Sequence, residues 1–566
     1  MNNNRGVALA ISLMCLVMIT TLASAFVMVA LREKTMSEIE IRAGKAMYAA
    51  EAGANSGLLT LSNLINVYML EAVNRTSPSV VASNATTYAN TANGVGLLMA
   101  YVRDNDSPYL QLLTQNGAEA VYTGTSAALD NGTARYTIRI TQKSNPTSPS
   151  TNVWDFPFYF KIQATGANGS QTRRTTLHGD FTVRVQKDNF ARYALFTNTQ
   201  TMPDGTNVWF TGTARFAGPL FTNGQYNFAY NPSGTFTDSV QQHGTQARFY
   251  NNNNPVLLDA DVNGSRDVPT FDNGFSRGMA TIATPTSSDE TSMANEASGG
   301  TTISSTGIYV PVTAANALKG GIYVYGDAAM ALTVDGSGRQ VIVVTPSSGT
   351  AKTITLDKAA NHTLVTSGGT TTTYTGLPDG ASNVGTIVYV RGNITGLSGT
   401  VQSDNQMTIA ARNDVVINNN LRYQSYTPSS GTLGTSGYVA PTAEGATNLL
   451  GLVSWQGNAR INTSASALDV HATIMAKSGI FTVDNYDTIS PRGAVTVLGG
   501  VITNNYGAFG TFNSSSGVIV SGFSRNFNYD TRMQSAMSPP YFPTMSTFIA
   551  FTNDIDDKLA WQQGGF

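Results

Sequence analysis

An uninterrupted apolar segment opens the hydrophobic pattern of this chain. No charged residue occurs from Val7 to Leu31, and charges begin at Arg32. About 20 apolar residues suffice for a helix to cross a bilayer, whereas the apolar core of a signal peptide has only about 7–15. Apolar and small residues continue at helical spacing well beyond this segment. The pattern predicts one N-terminal helix over residues 7–73, with residues 7–31 crossing the membrane.

The pattern then changes from helical spacing to alternation. Apolar and polar residues alternate in Ala134–Thr141, Phe156–Ala164 and Thr175–Val185, with polar segments between them. Such alternation is typical of strands with one buried face, and consecutive strands of this kind form an antiparallel meander. Residues 74–190 are therefore predicted to form a head with an antiparallel sheet. Together with the long helix, this head makes an α+β module.

From residue 191 to residue 566, short apolar runs recur between turns rich in Gly and Asn. Clear examples are Thr386–Val390, Leu468–Met475 and Ala494–Leu498. Short runs that recur at intervals of very roughly 10–30 residues are typical of stacked coils that share one core. We predict a mainly-β domain built as a β-solenoid, with Asn ladders at its corners. A stack of β-sandwiches is the alternative.

One stretch, from about 281 to 382, departs from this spacing. It is rich in Ser, Thr and Gly, and its apolar runs follow one another as in a hairpin array. The runs are Gly321–Tyr325, Gln340–Val344, Lys352–Leu356 and Thr371–Tyr374. We predict a β-rich insertion, a place where repeat proteins often carry binding surfaces.

Composition limits the function classes. Only 12% of the 566 residues are charged, and the formal net charge is −2. Such a balance excludes a surface that binds polyanions over its whole extent. The single cysteine, Cys15, lies inside the apolar segment, so an exported domain must be stabilised by its core and its strand ladders rather than by disulfides.

The N-terminal residues carry a family resemblance. The sequence Arg5-Gly6-Val7-Ala8-Leu9 resembles the prepilin peptidase site of type IV pilins, and Tyr48–Gly53 resembles a segment of minor pilins and pseudopilins of the PilX and GspK class. The resemblance implies a leader over residues 1–6, cleavage between Gly6 and Val7, and N-methylation of Val7. A secretory signal peptide cleaved after Ala25 and a plain membrane anchor are the alternatives.

One position departs from the pilin pattern. Most pilins carry glutamate at the fifth mature position, and this chain carries Ile11 there. In pilins that carboxylate compensates the N-terminal ammonium of a neighbouring subunit, because an unpaired charge in the membrane is costly. A subunit that starts the filament has no such neighbour. The resemblance, with this departure, implies a position at the filament tip.

The C-terminal two thirds carries a second resemblance. Gly385–Gly399, Pro491–Gly500 and Pro539–Pro543 resemble a domain found beside pilin-like N-termini in competence minor pilins of the Deinococcus–Thermus group. The resemblance implies a pilus-tip protein with a β-solenoid that takes part in DNA capture during natural transformation. It also implies other pilins, the prepilin peptidase and extracellular DNA as partners, and an inner-membrane precursor that moves to the cell surface.

One motif indicates a metal. Asp259, Asp261, Asn263 and Asp267 have the spacing of the first nine positions of an EF-hand calcium loop, with Gly264 at the sixth. The glutamate of the twelfth position is missing, since Thr270 stands there, and Asp272 lies two residues further on. Calcium is therefore a candidate cofactor. The alternative is an Asx-rich turn. No zinc spacing and no catalytic signature occurs among the histidines and acids, so we expect no enzyme.

Nucleic-acid binding would need basic side chains next to aromatic faces. The candidates in the insertion and the coils are Lys319, Arg339, Lys352, Lys358, Arg391, Arg412 and Arg422, the last with Tyr423 and Tyr426 nearby. The alternative is that these residues lie on solvated edges. Two functions follow from the sequence: a tip pilin for DNA uptake, or a structural and adhesive tip protein that binds surfaces or glycans.

Overall fold

The computed structural model describes residues 4–102, 114–116, 118–127, 133–150, 152–210, 214–228, 235–251, 254–258, 269–431, 437–513, 518–535, 537–553, 555 and 560–563. The chain divides into two compact units. The first comprises Met1–Lys187 and Thr547–Phe566, and the second comprises Asp188–Ser546. Residues 547–566, which the sequence pattern assigned to the β domain, therefore belong to the first unit.

Helices are concentrated in the first unit. They are α1 (Asn4–Asn63), a π-helical turn (Leu64–Met69), α2 (Leu70–Arg75), α3 (Pro78–Asn90), α4 (Gly94–Val102) and, in the second unit, α5 (Ser287–Ser298). Short 3₁₀ turns cover Phe190–Arg192 and Thr531–Ser535.

Strands make up most of the remainder. The first nineteen are β1 Thr114–Asn116, β2 Glu119–Ala127, β3 Thr133–Gln142, β4 Thr147–Ser150, β5 Val153–Asn168, β6 Gln171–Asn189, β7 Leu195–Thr197, β8 Arg215–Phe216, β9 Leu220–Thr222, β10 Asn227–Phe228, β11 Thr235–Phe236, β12 Val240–Gln242, β13 Ala247–Asn251, β14 Asn254–Leu258, β15 Thr270–Phe271, β16 Phe275–Ser276, β17 Gly307–Tyr309, β18 Ile322–Tyr325 and β19 Ala328–Val334. The others are β20 Gln340–Pro346, β21 Lys352–Asp357, β22 His362–Ser367, β23 Thr370–Thr375, β24 Thr386–Val390, β25 Ile394–Val401, β26 Gln406–Ala411, β27 Val415–Tyr423, β28 Leu449–Ser454, β29 Ala459–Ile461, β30 Leu468–His471, β31 Thr473–Ala476, β32 Phe481–Val483, β33 Ala494–Leu498, β34 Val501–Thr503, β35 Gly510–Phe512, β36 Ile519–Gly522, β37 Ser524–Asn528, β38 Thr544–Asn553 and β39 Ala560–Gln563.

The N-terminal helix is long and apolar. It runs without interruption from Gly6 to Arg75, and its most apolar window has a mean hydropathy of 2.4 with none of it buried. By length and composition it can cross a membrane. The prediction of one long apolar helix followed by a mainly-β region is confirmed.

The first unit also contains an antiparallel sheet. Its strand order is β1-β2-β3-β5-β6-β38, with β4 beside β5 and β39 beside β6. The buried positions of β5 alternate along the strand and include Phe156, Phe158 and Ile162, as the sequence pattern predicts for one buried face.

The C-terminal half of α1 packs closely on this sheet because its contact face is made of small residues. Ala46, Ala50 and Ala54 are fully buried. A Cβ atom on Gly57 would lie only 2.7 Å from Cγ2 of Ile162, so a larger residue there must displace the sheet. Small residues from Ala46 to Gly57 thus set the distance between the helix and the sheet.

Parallel strand pairs dominate the second unit. An eleven-stranded sheet has the order β16-β12-β9-β7-β34-β31-β28-β26-β24-β18-β17, and each pair in it except β17–β18 is parallel. A twelve-stranded sheet contains the parallel run β19-β25-β27-β30-β33-β37. From β24 to β28 the chain alternates between the two sheets, and the aliphatic side chains of both sheets belong to one core.

The strand order shows that the chain does not wind from one end to the other. It enters the eleven-stranded sheet in the middle at β7, proceeds outward to β16, and then crosses to the opposite end, where β17 and β18 lie. It returns strand by strand to β34, which pairs with β7. The crossing segment, residues 277–306, contains α5.

The predicted insertion is therefore only partly an insertion. The run Gly321–Tyr325 belongs to the parallel sheet through β18, which pairs with β24. The other three predicted runs form β20, β21 and β23, and with β22 they extend β19 as an antiparallel meander. The hairpin spacing was informative for these strands but not for β18.

Asp and Asn side chains connect successive parallel strands at one corner. The Oδ1 atom of Asp327 accepts a hydrogen bond from the backbone N–H of Asn393 at 2.7 Å. Asn393 Oδ1 accepts from Asp414 N–H, Asp414 Oδ1 from Asn458 N–H, and Asn458 Oδ1 from Ile480 N–H. We call this series the Asx ladder; its four acceptors are Asp327, Asn393, Asp414 and Asn458.

Glycine precedes several members of the Asx ladder because the backbones approach closely there. A Cβ atom on Gly392 would lie 2.5 Å from Oδ1 of Asp327. Side-chain acceptors that satisfy backbone donors at the next strand connection leave fewer unpaired groups in the interior.

Candidate functional site

The predicted processing site lies in the first turns of α1. Val7 is 59% exposed, and no atom lies within 4 Å of a Cβ built on Gly6. Ile11, at the position where pilins usually carry glutamate, is 57% exposed. The junction between Gly6 and Val7 is thus not covered by the rest of the chain within the described residues.

The predicted calcium loop cannot be described. Asp259, Asp261, Asn263 and Asp267 lie outside the described residues. Thr270, at the twelfth loop position, begins β15, and Asp272 follows that strand with its backbone N–H bonded to Phe236 O. Within the part of the chain that the structure describes, no group of three or more His, Cys, Asp or Glu side chains is placed to hold a metal ion.

Two of the seven predicted basic residues come together at the corner of the eleven-stranded sheet. Arg391 follows β24, and its backbone N–H bonds to Val324 O of β18. Arg412 follows β26, the next strand, and its N–H bonds to Val390 O. Neighbouring strands are about 4.8 Å apart. Arg391 and Arg412 therefore lie one strand spacing apart, each at the same end of its strand.

Aromatic rings accompany these arginines. The guanidinium carbon of Arg391 lies 4.7 Å from the centre of the Tyr325 ring, within the range of a cation–π contact. Burial raises the pKa of Tyr323, and Arg391, which hydrogen-bonds to this tyrosine, partly opposes the rise. The rings of Tyr323 and Tyr389 are 5.5 Å apart.

Lys477 follows β31 at the same edge of the sheet, and one strand, β28, lies between β31 and β26. Its backbone N–H bonds to Ser454 O, and Trp455 and Gln456 lie at the level between it and Arg412. We call Tyr325, Arg391, Arg412 and Lys477 the basic corner. Among the described residues, Arg412 and Lys477 form no ion pair.

Carboxylates also lie near the basic corner. Glu290 of α5 accepts hydrogen bonds from Tyr389 Oη at 2.9 Å and from Gln456 Nε2 at 3.1 Å. Burial is the main cause that raises the pKa of Tyr389, and the Glu290 carboxylate adds to the rise. Asp327 and Asp414 of the Asx ladder are held at the same strand connections, where Asp327 Oδ1 accepts from the N–H of Asn393 and Asp414 Oδ1 from that of Asn458.

The other predicted basic residues do not join this corner. Arg422 pairs with Asp469 at 2.6 Å on the twelve-stranded sheet, and its neighbour Tyr423 is buried. Lys352 donates to Ile308 O at 2.8 Å, and burial lowers its pKa. Lys319 is exposed and lies in the loop between β17 and β18.

Arg339 and Lys358 meet at a second place, a polar cleft in the meander. The cleft has a volume of about 400 Å³. Its lining comprises Ser337, Gly338, Arg339, Leu356, Asp357, Lys358, Ala359, Gln402 and Asp404. Both cations are paired with acids, Arg339 with Asp335 and Asp357, and Lys358 with Asp404. The sequence offered no sign of this grouping, because the turns involved are far apart along the chain.

Comparison with known proteins adds one short match. A family model described as a domain of unknown function (DUF4900) matches residues 155–244. The matched stretch runs from β5 in the first unit to the strand β12 in the second and includes none of the residues of the basic corner or the cleft. No curated protein and no solved structure matches the chain significantly.

Proposed function

We propose that this protein is a minor type IV pilin that is anchored by α1, occupies the filament tip, and presents a β-solenoid that captures DNA. One observation carries the proposal: a single helix exposes its apolar N-terminal half and packs its C-terminal half on an antiparallel sheet. A subunit that must first rest in a membrane and then join a bundle of like helices needs both halves.

The β-solenoid part of the proposal rests on the strand pairing of the second unit. The parallel in-register pairs, the alternation of the chain between two sheets and the Asx ladder are each expected of stacked coils with a shared core. A pair of stacked sandwiches would instead use antiparallel hairpins throughout.

The tip position rests on Ile11. Without a carboxylate, this position offers no partner for the ammonium of another subunit in the membrane. A unit as large as Asp188–Ser546 would also crowd a shaft built of small heads. A single copy at the end of the filament needs no carboxylate for a neighbouring ammonium and leaves room for the large second unit.

The processing test is mass spectrometry of the mature protein. We expect a methylated N-terminus at Val7. An N-terminus at Phe26 would contradict the proposal, because it would indicate a signal peptide cleaved after Ala25.

The test of the tip position is immunogold labelling of the second unit, which should decorate filament ends. Regular labelling along the shaft would contradict the tip position.

DNA capture rests on the basic corner, where Arg391 and Arg412 follow neighbouring strands and the Arg391 guanidinium lies against the half-buried ring of Tyr325. Basic side chains next to an aromatic ring suit a phosphate backbone and need no sequence preference. The test is fluorescence anisotropy of full-length protein in a non-ionic detergent with single- and double-stranded DNA, over a series of salt concentrations.

We expect the double variant Arg391→Gln, Arg412→Gln to weaken binding and to reduce the slope of log K against log salt by about 2. Arg422→Gln is the matched control, because Arg422 already has a carboxylate partner. Equal salt slopes for the double variant and the wild type would contradict this site.

A second candidate function is adhesion to surfaces or glycans. It is favoured by the polar cleft of the meander, which does not overlap the basic corner.

A further inference from the structure

The polar cleft is enclosed by three turns. They are the β19–β20 turn with Ser337, the turn after β21 with Lys358, and the loop after β25 with Gln402 and Asp404. Its volume of about 400 Å³ lies within the range of sites that hold small ligands. All three turns belong to the second unit.

Both cations of the cleft are already paired with carboxylates. Arg339 Nε donates to Asp335 Oδ2 at 2.9 Å, and its Nη1 donates to Asp357 Oδ2 at 3.3 Å. Lys358 Nζ donates to the carbonyl oxygen of Asp404 at 2.6 Å and lies 3.5 Å from its carboxylate. An anionic or cationic ligand would therefore have to break an existing pair.

Both acids beside Arg339 stay ionised at neutral pH. A hydrogen bond from the backbone N–H of Ala360 is the main cause that lowers the pKa of Asp357. The backbone N–H of Arg339 does the same for Asp335. Each carboxylate retains lone pairs that can accept further hydrogen bonds.

Two neutral polar groups in the lining have no partner. Neither the side-chain amide of Gln402 nor the hydroxyl of Ser337 makes a hydrogen bond with any described residue. The backbone N–H of Gln402 donates to Oε1 of Gln340 at 2.8 Å, and Gln340 is only 1% exposed. The loop that carries the free amide is thus held by a buried residue, which reduces the entropy lost on binding.

We propose that this cleft binds a neutral saccharide. A sugar presents adjacent hydroxyl groups that each donate and accept, so it can use the free lone pairs of the carboxylates and the unpaired amide without disturbing the ion pairs. Ala359 and Gly338, which are exposed in the lining, supply the less polar surface on which the C–H face of a sugar ring can rest.

The experiment is isothermal titration calorimetry of the full-length protein in a zwitterionic detergent, because glycosidic detergents would compete. The probes are the neutral disaccharides maltose, cellobiose and N,N′-diacetylchitobiose, with a sulfated chondroitin disaccharide for comparison. We expect at least one neutral disaccharide to bind, and we expect Gln402→Ala and Asp404→Asn each to weaken it about tenfold.

Asp404 is half exposed, so the loss of its ion pair should cost little stability. Unchanged circular dichroism would verify that both variants fold. Arg391→Gln is the control: it should leave saccharide binding intact while it reduces DNA binding, so failure of the cleft and failure of the basic corner are distinguishable. The proposal is overturned if no neutral disaccharide binds, if only the sulfated one binds, or if both folded cleft variants bind like the wild type.

Discussion

The two units solve the problem of backbone hydrogen bonding in different ways. In the first, β2, β3, β5 and β6 pair with sequence neighbours, and one long helix covers the sheet with a face of small residues. In the second, strands distant in the chain pair in parallel, and Asp and Asn side chains satisfy backbone donors at the next strand connection. A substitution in the first unit should therefore act through packing, whereas one in the second should act through loss of a polar partner.

The largest effect is expected at a buried ion pair of the second unit. Arg532 and Asp530 are 6% and 2% exposed in their side chains, with Nη2 and Oδ2 2.6 Å apart. Asp530→Asn leaves the Arg532 charge buried and unpaired, so we expect a loss of about 3–5 kcal/mol in the free energy of unfolding. Chemical denaturation should show almost no loss for Asp469→Asn, whose partner Arg422 is half exposed. Equal losses in the free energy of unfolding for the two variants would contradict the expectation that burial makes the Asp530–Arg532 pair more important than the exposed Asp469–Arg422 pair.

Acid should weaken the second unit selectively. Burial lowers the pKa of His471 to about 4, and its Nδ1 accepts a hydrogen bond from Tyr423 N–H at 3.1 Å. The unfolded chain takes up this proton near pH 6.5 and the folded chain only near pH 4. Stability is therefore lost as the pH falls through this window, by about 3 kcal/mol at most. His471→Gln should flatten the pH dependence of unfolding between these values; an unchanged profile would show that other groups cause it.

Overpacking should affect the first unit alone. Gly57→Leu forces a side chain against Ile162 and the ring of Tyr136, and we expect a loss of about 1–3 kcal/mol. Hydrogen exchange read by mass spectrometry should show faster exchange in peptides of β3 and β5 and unchanged exchange in β24–β28. Leu59→Ala, at an exposed position of the same helix, is the control. Faster exchange in both units would mean that they unfold together.

A smaller effect is expected in the Asx ladder. Asn458→Ala leaves the N–H of Ile480 without its acceptor, which should cost about 1–2 kcal/mol. Asn462→Ala removes an exposed amide nearby and should be neutral. The measurement is the melting temperature of each variant. Identical melting temperatures would show that the Asx ladder does not stabilise the fold.

The smallest effect concerns calcium. If the loop from Asp259 to Asp267 binds Ca²⁺ in the folded state, excess Ca²⁺ should raise the melting temperature by a few degrees over that in EDTA. Asp259→Asn should abolish the difference. A melting temperature that is the same in Ca²⁺ and EDTA for the wild type would leave the motif as a turn.

Local patterns predicted local structure well. The uncharged segment before Arg32 predicted the apolar helix, and the alternation around Phe156–Ala164 predicted β5 with one buried face. Both depend on residues close in sequence, so no knowledge of the tertiary fold was needed.

Long-range partners were not predictable in the same way. Arg422 was a candidate for DNA contact, yet Asp469 of β30, a strand that pairs with β27, neutralises it. The spacing of apolar runs predicts that coils stack but not their order, and the pairing of β7 with β34 depends on where the chain crosses between the ends of the sheet. The register that places Arg391 and Arg412 at adjacent levels follows only from that order.

The return of the chain to the sheet of the first unit has consequences for aggregation during synthesis and for proteolysis of the folded protein. Strand β6 leads into the second unit, and β38 and β39, which pair with β6, follow that unit in the chain. Until these strands are synthesised, β6 lacks them as partners, so a chain truncated before β38 presents an open strand edge that invites aggregation. In the finished protein, a protease that nicks a single loop of the second unit leaves both fragments bound to the same sheet.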